Sequence, residues 1–95
     1  MYEIRLHPDA NQYIQDLDFK SQRIVKNNLR KLEDEPYPRP NNKLGDTEKV
    51  TVDGEEYYRL HISRSHTAFY RVKESESQVH VINIVDIDTA HKMYD

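Results

Sequence analysis

The spacing of apolar residues changes once along this chain of 95 residues, from a helical period to a period of two. In the first third, apolar side chains recur three and four residues apart, as on one face of a helix. From Lys49 onward they alternate with polar side chains, as in half-buried strands. The helical positions are Ala10, Tyr13, Ile14 and Leu17 in one stripe and Val25, Leu29 and Leu32 in a second. Because helices precede strands, the sequence predicts an α+β fold with helices packed on a sheet.

Boundary residues divide the first half into one strand and two helices. Residues 2–6 alternate between polar and apolar types and predict a strand. Pro8 lies where the first helix can begin, since its missing N–H is harmless there. Asp18 is the expected N-cap of a second helix that runs to about Asp34. Three prolines between residues 36 and 40 then end this helix and keep the chain extended.

Turn residues divide the second half into strands. Asp53-Gly54 is a strong hairpin signal, because glycine accepts a positive φ. Strands are predicted at 49–52, 56–62, 67–73 and 79–87, followed by a short helical turn over 88–94. Short polar connections are typical of antiparallel neighbours. The sequence therefore predicts an N-terminal strand, a two-helix hairpin and an antiparallel meander, with the helices packed on one face of a single sheet.

Composition limits the class of protein. Residues 1–95 are enough for one domain, and we expect only one. There are no cysteines, so disulfides and thiolate chemistry are excluded. The opening residues, MYEIRLHP, are interrupted by charges and do not form a signal peptide, and no apolar run reaches the length of a membrane span. We therefore expect a cytoplasmic protein with no membrane partner.

Charge is acidic overall and basic locally. The formal net charge is −3, which by itself argues against a nucleic-acid partner. Between residues 59 and 71, however, the chain has no acid. The basic and imidazole side chains of this segment are Arg59, His61, Arg64, His66 and Arg71. Locally, therefore, the sequence favours an anionic partner.

Strand alternation assigns these side chains to faces. Arg59 and His61 point away from the helices, about 7 Å apart along their strand. On the next strand, Phe69 and Arg71 share one face, and we expect Arg71 to lie beside Arg59. The ring of Phe69 would then be available to a base or an apolar partner. The last strand delivers further polar groups to one edge of the sheet: Asp86, Asp88, His91 and Tyr94.

These residues also have ordinary structural interpretations. Arg59 and Arg71 can form ion pairs with Glu55 or Glu56 across the hairpin, and such exposed pairs are common and weak. The histidines of the segment, taken singly, fit a solvated surface. Two carboxylates and an imidazole near the end of the last strand are possible metal ligands. Because they do not have the spacing of a known metal-binding motif, no metal site is predicted. The groups concerned are Asp86, Asp88 and His91.

Several segments resemble the RelE/ParE toxin superfamily, and the resemblance covers nearly the whole chain. The opening strand and helix are similar to those of the superfamily, and Leu44-Gly45 lies where its members commonly have such a pair. The most similar segments are Tyr57-Tyr58-Arg59-Leu60-His61-Ile62, Phe69-Tyr70-Arg71-Val72 and Asp88-Thr89-Ala90-His91-Lys92-Met93-Tyr94. The last of these resembles the archaeal type of RelE-like member.

The resemblance implies a toxin that a cognate antitoxin holds inactive. For RelE-like members it further implies cleavage of messenger RNA in the ribosomal A site by the RNA's own 2′-hydroxyl, without a cofactor. The ribosome and its mRNA are then partners. By resemblance, Arg59 and Arg64 match basic positions of the superfamily, and Tyr94 matches its C-terminal tyrosine linked to catalysis. The predicted catalytic residues are Arg64 and Tyr94, with His61 and His91 as the best available acid–base groups. The predicted RNA-binding residues are Arg59, Phe69, Arg71 and Lys92.

Two departures from the pattern leave other functions open. Asp88 stands where a catalytic arginine is often found, and Ser65-His66-Thr67-Ala68 replaces the usual Gly-x-Tyr-Arg. One alternative is a ParE-like or catalytically degenerate toxin that binds a protein target and cleaves no RNA. Another is a former toxin that retains only antitoxin binding.

Overall fold

The computed structural model describes residues 1–38 and 47–93, and its elements follow the predicted order. The strands are β1 (Glu3–Leu6), β2 (Thr47–Val52), β3 (Glu55–Ile62), β4 (His66–Lys73) and β5 (Gln78–Asp86). The helices are α1 (Pro8–Gln15), α2 (Phe19–Leu29) and α3 (Ile87–Met93), with short 3-10 helices at Arg30–Glu33 and Glu74–Glu76. None of the helices in these two ranges is long and apolar enough to cross a membrane.

The five strands form one sheet in the order β1-β5-β4-β3-β2. The predicted antiparallel meander of the last four strands is confirmed. β1 joins the free edge of β5 in parallel, with Ile4 opposite Val79, so the sheet is mixed. The turn between β2 and β3 is the predicted one: Asp53 has a φ of 51° and Gly54 a φ of 80°, as a two-residue hairpin turn of this hand requires.

Helices α1 and α2 cover one face of the sheet, which we call the helix face. Asp18 caps α2 as predicted, because its carboxylate accepts a hydrogen bond of 2.8 Å from the Ser21 N–H. The second helix ends as an α-helix at Leu29, and the 3-10 helix takes up the rest of its predicted length. Fully buried side chains from the helices and from β3, β4 and β5 form the core: Ala10, Ile14, Val25, Leu29, Leu32, Leu60, Ile62, Ala68, Tyr70, Val79, Val81 and Ile84.

Helix α3 packs on the opposite face of the sheet, which we call the second face. Ala90 is fully buried there in a small cluster with Val52 and Phe69. The sequence predicted a helical turn after the last strand without assigning it to a face. In the structure, α3 begins at Ile87, directly after β5, and turns back over β4.

Candidate functional site

The strand register confirms which side chains share the second face. Arg59 lies opposite Phe69, and His61 lies opposite Thr67, in the antiparallel pairing of β3 with β4. Side chains directly opposite each other lie on the same face of a sheet. The predicted alternation is therefore correct, and it gathers the basic side chains of β3 on the face that α1 and α2 leave uncovered.

Phe69 is not available to a base, so this part of the predicted site was wrong. Its side chain is only 2% exposed. It packs with Ala90 of α3 and with Val52, and the ring of Tyr57 lies edge-on to it at a centroid distance of 6.4 Å. Since α3 covers this part of the second face, Phe69 belongs to a small core.

The two arginines of the second face are held by glutamates of the hairpin. Arg59 is 12% exposed at its side chain and forms an ion pair with Glu48 of β2. Arg71 forms an ion pair of 2.8 Å with Glu55, one of the two partners that its structural interpretation named. Its guanidinium also lies 4.3 Å from the centroid of the Tyr57 ring. Each arginine thus already has an anionic partner within the protein.

The expected position of Arg71 beside Arg59 was also wrong. In the register of β3 with β4, Tyr58 lies opposite Tyr70 and Arg59 opposite Phe69. Arg71 is therefore diagonal to Arg59, on the side toward the hairpin turn. The two guanidinium groups do not form one adjacent pair.

A second group of polar side chains lies at the other end of the sheet, around the β3–β4 turn. Arg64 is exposed in that turn. The Ile87 N–H donates a hydrogen bond of 3.0 Å to the Ser65 carbonyl, so α3 begins at the same turn. The last turn of α3 carries His91 and Lys92, both exposed. We call the following residues the turn-end group: His61, Arg64, His66, Asp86, His91 and Lys92.

His66 was missed as a candidate, because a lone histidine in a polar segment reads as a solvated surface residue. In the structure it is half-buried on β4, and its Nδ1 lies 2.7 Å from the hydroxyl of Tyr13 on α1. The two rings meet edge to face at a centroid distance of 5.7 Å. Burial lowers the pKa of His66 and raises the pKa of Tyr13. No sequence signal joins residues 13 and 66, since only the packing of α1 on the sheet brings them together.

Asp86 supplies the negative charge beside this pair. It lies opposite His66 in the pairing of β4 with β5. Its carboxylate accepts a hydrogen bond of 2.8 Å from the Thr89 N–H at the start of α3. That hydrogen bond, with a smaller contribution from the Lys92 charge, lowers the pKa of the Asp86 carboxyl. Asp86 therefore stays ionised near neutral pH and opposes the loss of positive charge at His66.

A basic stripe that runs along α2 to the first residue of the following 3-10 helix is a second feature that the sequence analysis missed. Four exposed cations recur three, three and four residues apart on the side away from the core: Lys20, Arg23, Lys26 and Arg30. The chain has no acid between residues 19 and 32. Within residues 1–38 and 47–93, no carboxylate forms an ion pair with Arg23, Lys26 or Arg30. The signal was present in the sequence, but the total charge of −3 concealed it.

The predicted catalytic residue Tyr94 lies outside the described residues. Of the other predicted residues, His61 and Arg64 lie at the β3–β4 turn end, His91 and Lys92 lie on α3, which begins there, and Arg71 lies toward the hairpin end. In the part of the chain that the structure describes, no three histidine or acidic side chains are grouped as a metal site would need.

The fold is similar to those of solved RelE toxins. The chain superposes on an archaeal RelE from the RelE–RelB complex of Pyrococcus horikoshii OT3 with a TM-score of 0.70 and 21% identity, over 90% of this chain and 93% of that one. For the RelBE2 toxin–antitoxin complex of Mycobacterium tuberculosis, the TM-score is 0.71 and the identity 14%, over 90% of this chain and 96% of that one. For the isolated E. coli RelE toxin, the TM-score is 0.61 and the identity 17%, over 97% of each chain.

No protein-family model and no curated protein matches the sequence. At these identities the structural similarity shows the fold and leaves the chemistry to be argued from the residues. The predicted α+β fold of RelE type is confirmed.

Proposed function

Because the chain has the fold of RelE toxins, we propose that it is the toxin of a type II toxin–antitoxin pair and cleaves messenger RNA on the ribosome in the cytoplasm. The observation that carries this proposal is the turn-end group. It combines imidazole, guanidinium and ammonium side chains at one end of a sheet whose fold is shared with RelE toxins. Imidazole and cationic groups are what the attack of an RNA 2′-hydroxyl on its own phosphate requires.

The proposed reaction moves two protons and exchanges one phosphorus–oxygen bond for another. The 2′-oxygen of one nucleotide bonds to the adjacent phosphorus, and the bond from phosphorus to the 5′-oxygen of the next nucleotide breaks. The proton of the 2′-hydroxyl goes to a base, and the departing 5′-oxygen takes a proton from an acid. The products carry a 2′,3′-cyclic phosphate and a 5′-hydroxyl. Imidazoles suit both proton roles because their ordinary pKa lies near neutrality.

Within the turn-end group, His61 and His91 are the proposed acid–base residues. Arg64 is exposed, and we assign it the stabilisation of charge on the phosphorane. Lys92 is the proposed contact to a flanking phosphate. Tyr94 keeps its proposed catalytic role from the resemblance.

Arg59 and Arg71 have a different proposed role. To contact RNA, each must exchange its glutamate, Glu48 or Glu55, for a phosphate. That exchange lowers the net gain from each contact, because an existing ion pair is lost when the new one forms. We therefore place these arginines at the periphery of the RNA site and the turn-end group at its centre.

The basic stripe on α2 supports contact with structured RNA. Its four cations span about 15 Å of helix, at a rise of 1.5 Å per residue. Cations without internal partners bind phosphate without first breaking an ion pair, and they release the counterions that RNA holds. We assign this surface to ribosomal RNA, and we assign the antitoxin to the second face, beside α3 and the turn-end group. A short reading frame next to this one should encode that antitoxin.

A second candidate function is favoured by a specific observation. Arg59 and Arg71 are engaged with glutamates, and Phe69 is buried. Three of the four residues predicted to bind RNA are thus engaged within the protein itself. A ParE-like or catalytically degenerate toxin, which binds a protein target without cleaving RNA, needs none of them for that chemistry.

Induced expression in cells, with growth and RNA 5′ ends as readouts, distinguishes the two. We expect growth arrest and new mRNA 5′ ends with the wild type, and the loss of both with Arg64→Gln. Arg5→Gln is the matched control, because Arg5 is exposed on β1 and paired with Glu3 at 2.9 Å. Arrest without new RNA ends would favour the protein-binding toxin. No arrest at all would favour a former toxin that retains only antitoxin binding.

A further inference from the structure

The hydrogen bond between Tyr13 and His66 leaves one nitrogen of the imidazole available. Tyr13 engages Nδ1 at 2.7 Å, and among the described residues no group forms a hydrogen bond with Nε2. The ring is only half-buried, and it lies two residues from the exposed Arg64 at the β3–β4 turn. An imidazole with one nitrogen fixed by a neighbour and the other without a hydrogen-bond partner among the described residues has the arrangement of an oriented general base.

We propose that His66 is the general base that takes the 2′-hydroxyl proton, and that Tyr13 is a positioning residue that orients its ring. This inference rests on the RNA cleavage proposed above and names a residue for one of its steps. The proton then moves from the 2′-oxygen to Nε2 of His66 as the 2′-oxygen bonds to phosphorus. The departing 5′-oxygen takes its proton from the protonated imidazole of His91, on the helix that begins directly after Asp86, the strand partner of His66.

The tautomer follows from the role of Tyr13. When the imidazole carries its proton on Nδ1, it donates that proton to the Tyr13 hydroxyl oxygen, and Nε2 keeps a free lone pair. The same oxygen continues to accept from Nδ1 after Nε2 is protonated, so the hydrogen bond supports the imidazolium that the reaction forms. Tyr13 remains a neutral phenol throughout, because burial raises its pKa.

The groups around His66 have opposite effects on its pKa. Burial against α1 disfavours the imidazolium and lowers the pKa, whereas the Asp86 carboxylate on β5 favours it to a smaller extent. The neighbour on β3 is Ile62, which is apolar and fully buried. Arg64 follows in the turn and adds positive charge on the exposed side. His66 is therefore neutral at pH 7, the state in which it accepts a proton.

Single-turnover cleavage of a defined mRNA on programmed ribosomes, measured from about pH 5 to about pH 9, tests this inference. We expect His66→Gln to slow cleavage by about 100-fold and to remove the acid limb of the pH–rate profile. Tyr13→Phe should keep part of the rate and move the acid limb to lower pH, because the imidazolium loses a hydrogen-bond acceptor. A purely structural role for Tyr13 would lower the rate without moving the limb.

Two matched controls accompany these variants. His80→Gln removes a half-buried histidine that bonds to Gln78, and Tyr2→Phe removes a hydroxyl that bonds to Glu74. Both should cleave at the wild-type rate. If His66→Gln does not fold, as judged by circular dichroism, the position of the acid limb in Tyr13→Phe decides.

Different experimental results would contradict the role of His66 and the proposed RNA cleavage. If the wild type cleaves mRNA and His66→Gln cleaves equally fast with the same pH profile, His66 is not the base and the RNA-cleaving function stands. An unmoved acid limb in Tyr13→Phe removes the positioning role of Tyr13. If the wild type makes no cut on programmed ribosomes at any pH, the inference and the proposed function fail together.

Discussion

One buried hydroxyl joins the extended segment after the helices to the sheet. The Tyr70 hydroxyl donates a hydrogen bond of 2.6 Å to the Pro36 carbonyl, and both residues are buried. Burial raises the pKa of Tyr70, so the hydroxyl stays protonated and keeps donating. Pro36, just after the helix, is therefore attached to β4.

Replacing Tyr70 with Phe should destabilise the protein. The Pro36 carbonyl would lose its partner while remaining buried, which costs about 1–3 kcal/mol in the free energy of unfolding. Urea denaturation measures this cost. Tyr2→Phe is the control, because its hydroxyl bonds to the exposed Glu74 and water replaces that bond; its stability should stay close to the wild type's. Equal effects of the two variants would contradict the account of Tyr70.

His66 should make stability depend on pH between neutrality and mild acid. Its pKa in the folded state lies below the ordinary value of 6.5, so the unfolded chain binds the proton more readily. The free energy of unfolding should therefore fall as the pH decreases below about 6.5 and level off below the folded pKa. Denaturation of His66→Gln across the same range should show a smaller fall. A variant that loses stability as steeply as the wild type would show that other groups carry the dependence.

For single residues, the sequence predicted the face of the sheet on which a side chain lies. It did not predict which other elements cover that side chain. Strand alternation correctly placed Arg59 and His61 on the second face. Whether Phe69 on that face was open depended on α3, which lies about twenty residues further along the chain. The pairing of Arg59 with Glu48 depended on the register of β2, and that of His66 with Tyr13 on the packing of α1. Local sequence patterns do not predict such contacts between distant segments.

At the scale of elements, α3 decides how much of the second face is open. It has only seven residues, too few to be stable alone. Its attachment depends on the Ile87–Ser65 hydrogen bond at its start and on the packing of Ala90 against Phe69. The helix begins beside the β3–β4 turn and carries His91 and Lys92 in its last turn.

Phe69→Leu should lower stability without weakening RNA binding. The smaller side chain leaves space under α3, which costs about 1–2 kcal/mol in the free energy of unfolding. Phe19→Leu is the control, since Phe19 is 83% exposed and its replacement should change stability by less than about 0.5 kcal/mol. A selective loss of RNA affinity in Phe69→Leu, with stability unchanged, would instead indicate a stacking role.

The order of helices and strands could be predicted almost completely. It depends on the local spacing of apolar residues and on the residues that begin or end each element. The change of period, the cap at Asp18 and the Asp53-Gly54 turn are each local signals, and all three are confirmed. The parallel pairing of β1 with β5 was not predicted, since the two strands are more than seventy residues apart. The side of the sheet that α3 takes was not predictable either, because a short amphipathic turn fits both faces.

At the scale of the whole molecule, a net charge of −3 coexists with surfaces of opposite sign. The acids lie mainly in the hairpin and the turns, where they hold Arg59, Lys49 and Arg71 in ion pairs. The basic stripe lies in a segment that has no acid between residues 19 and 32. Total charge therefore does not describe the local charge of the face that the molecule presents to a partner.

The double variant Arg23→Gln/Lys26→Gln should bind programmed ribosomes more weakly and with less dependence on salt. Loss of two phosphate contacts should reduce the slope of log affinity against log salt concentration by about 1.5. Arg5→Gln/Lys49→Gln changes the net charge equally but removes cations that are paired with Glu3 and Glu56. That control should leave the slope nearly unchanged. Equal slopes in both double variants would show that α2 is not the docking face.

We propose that the turn-end group cleaves messenger RNA on the ribosome, and the other predictions about RNA depend on this activity. The most direct measurement incubates the purified chain with a defined mRNA, free or bound to programmed ribosomes, and identifies the chemical ends of any fragments. We predict cuts only in ribosome-bound mRNA, with 2′,3′-cyclic phosphate and 5′-hydroxyl ends, and their loss in Arg64→Gln. Intact mRNA in every sample, or equal cutting by Arg64→Gln, would contradict the claim.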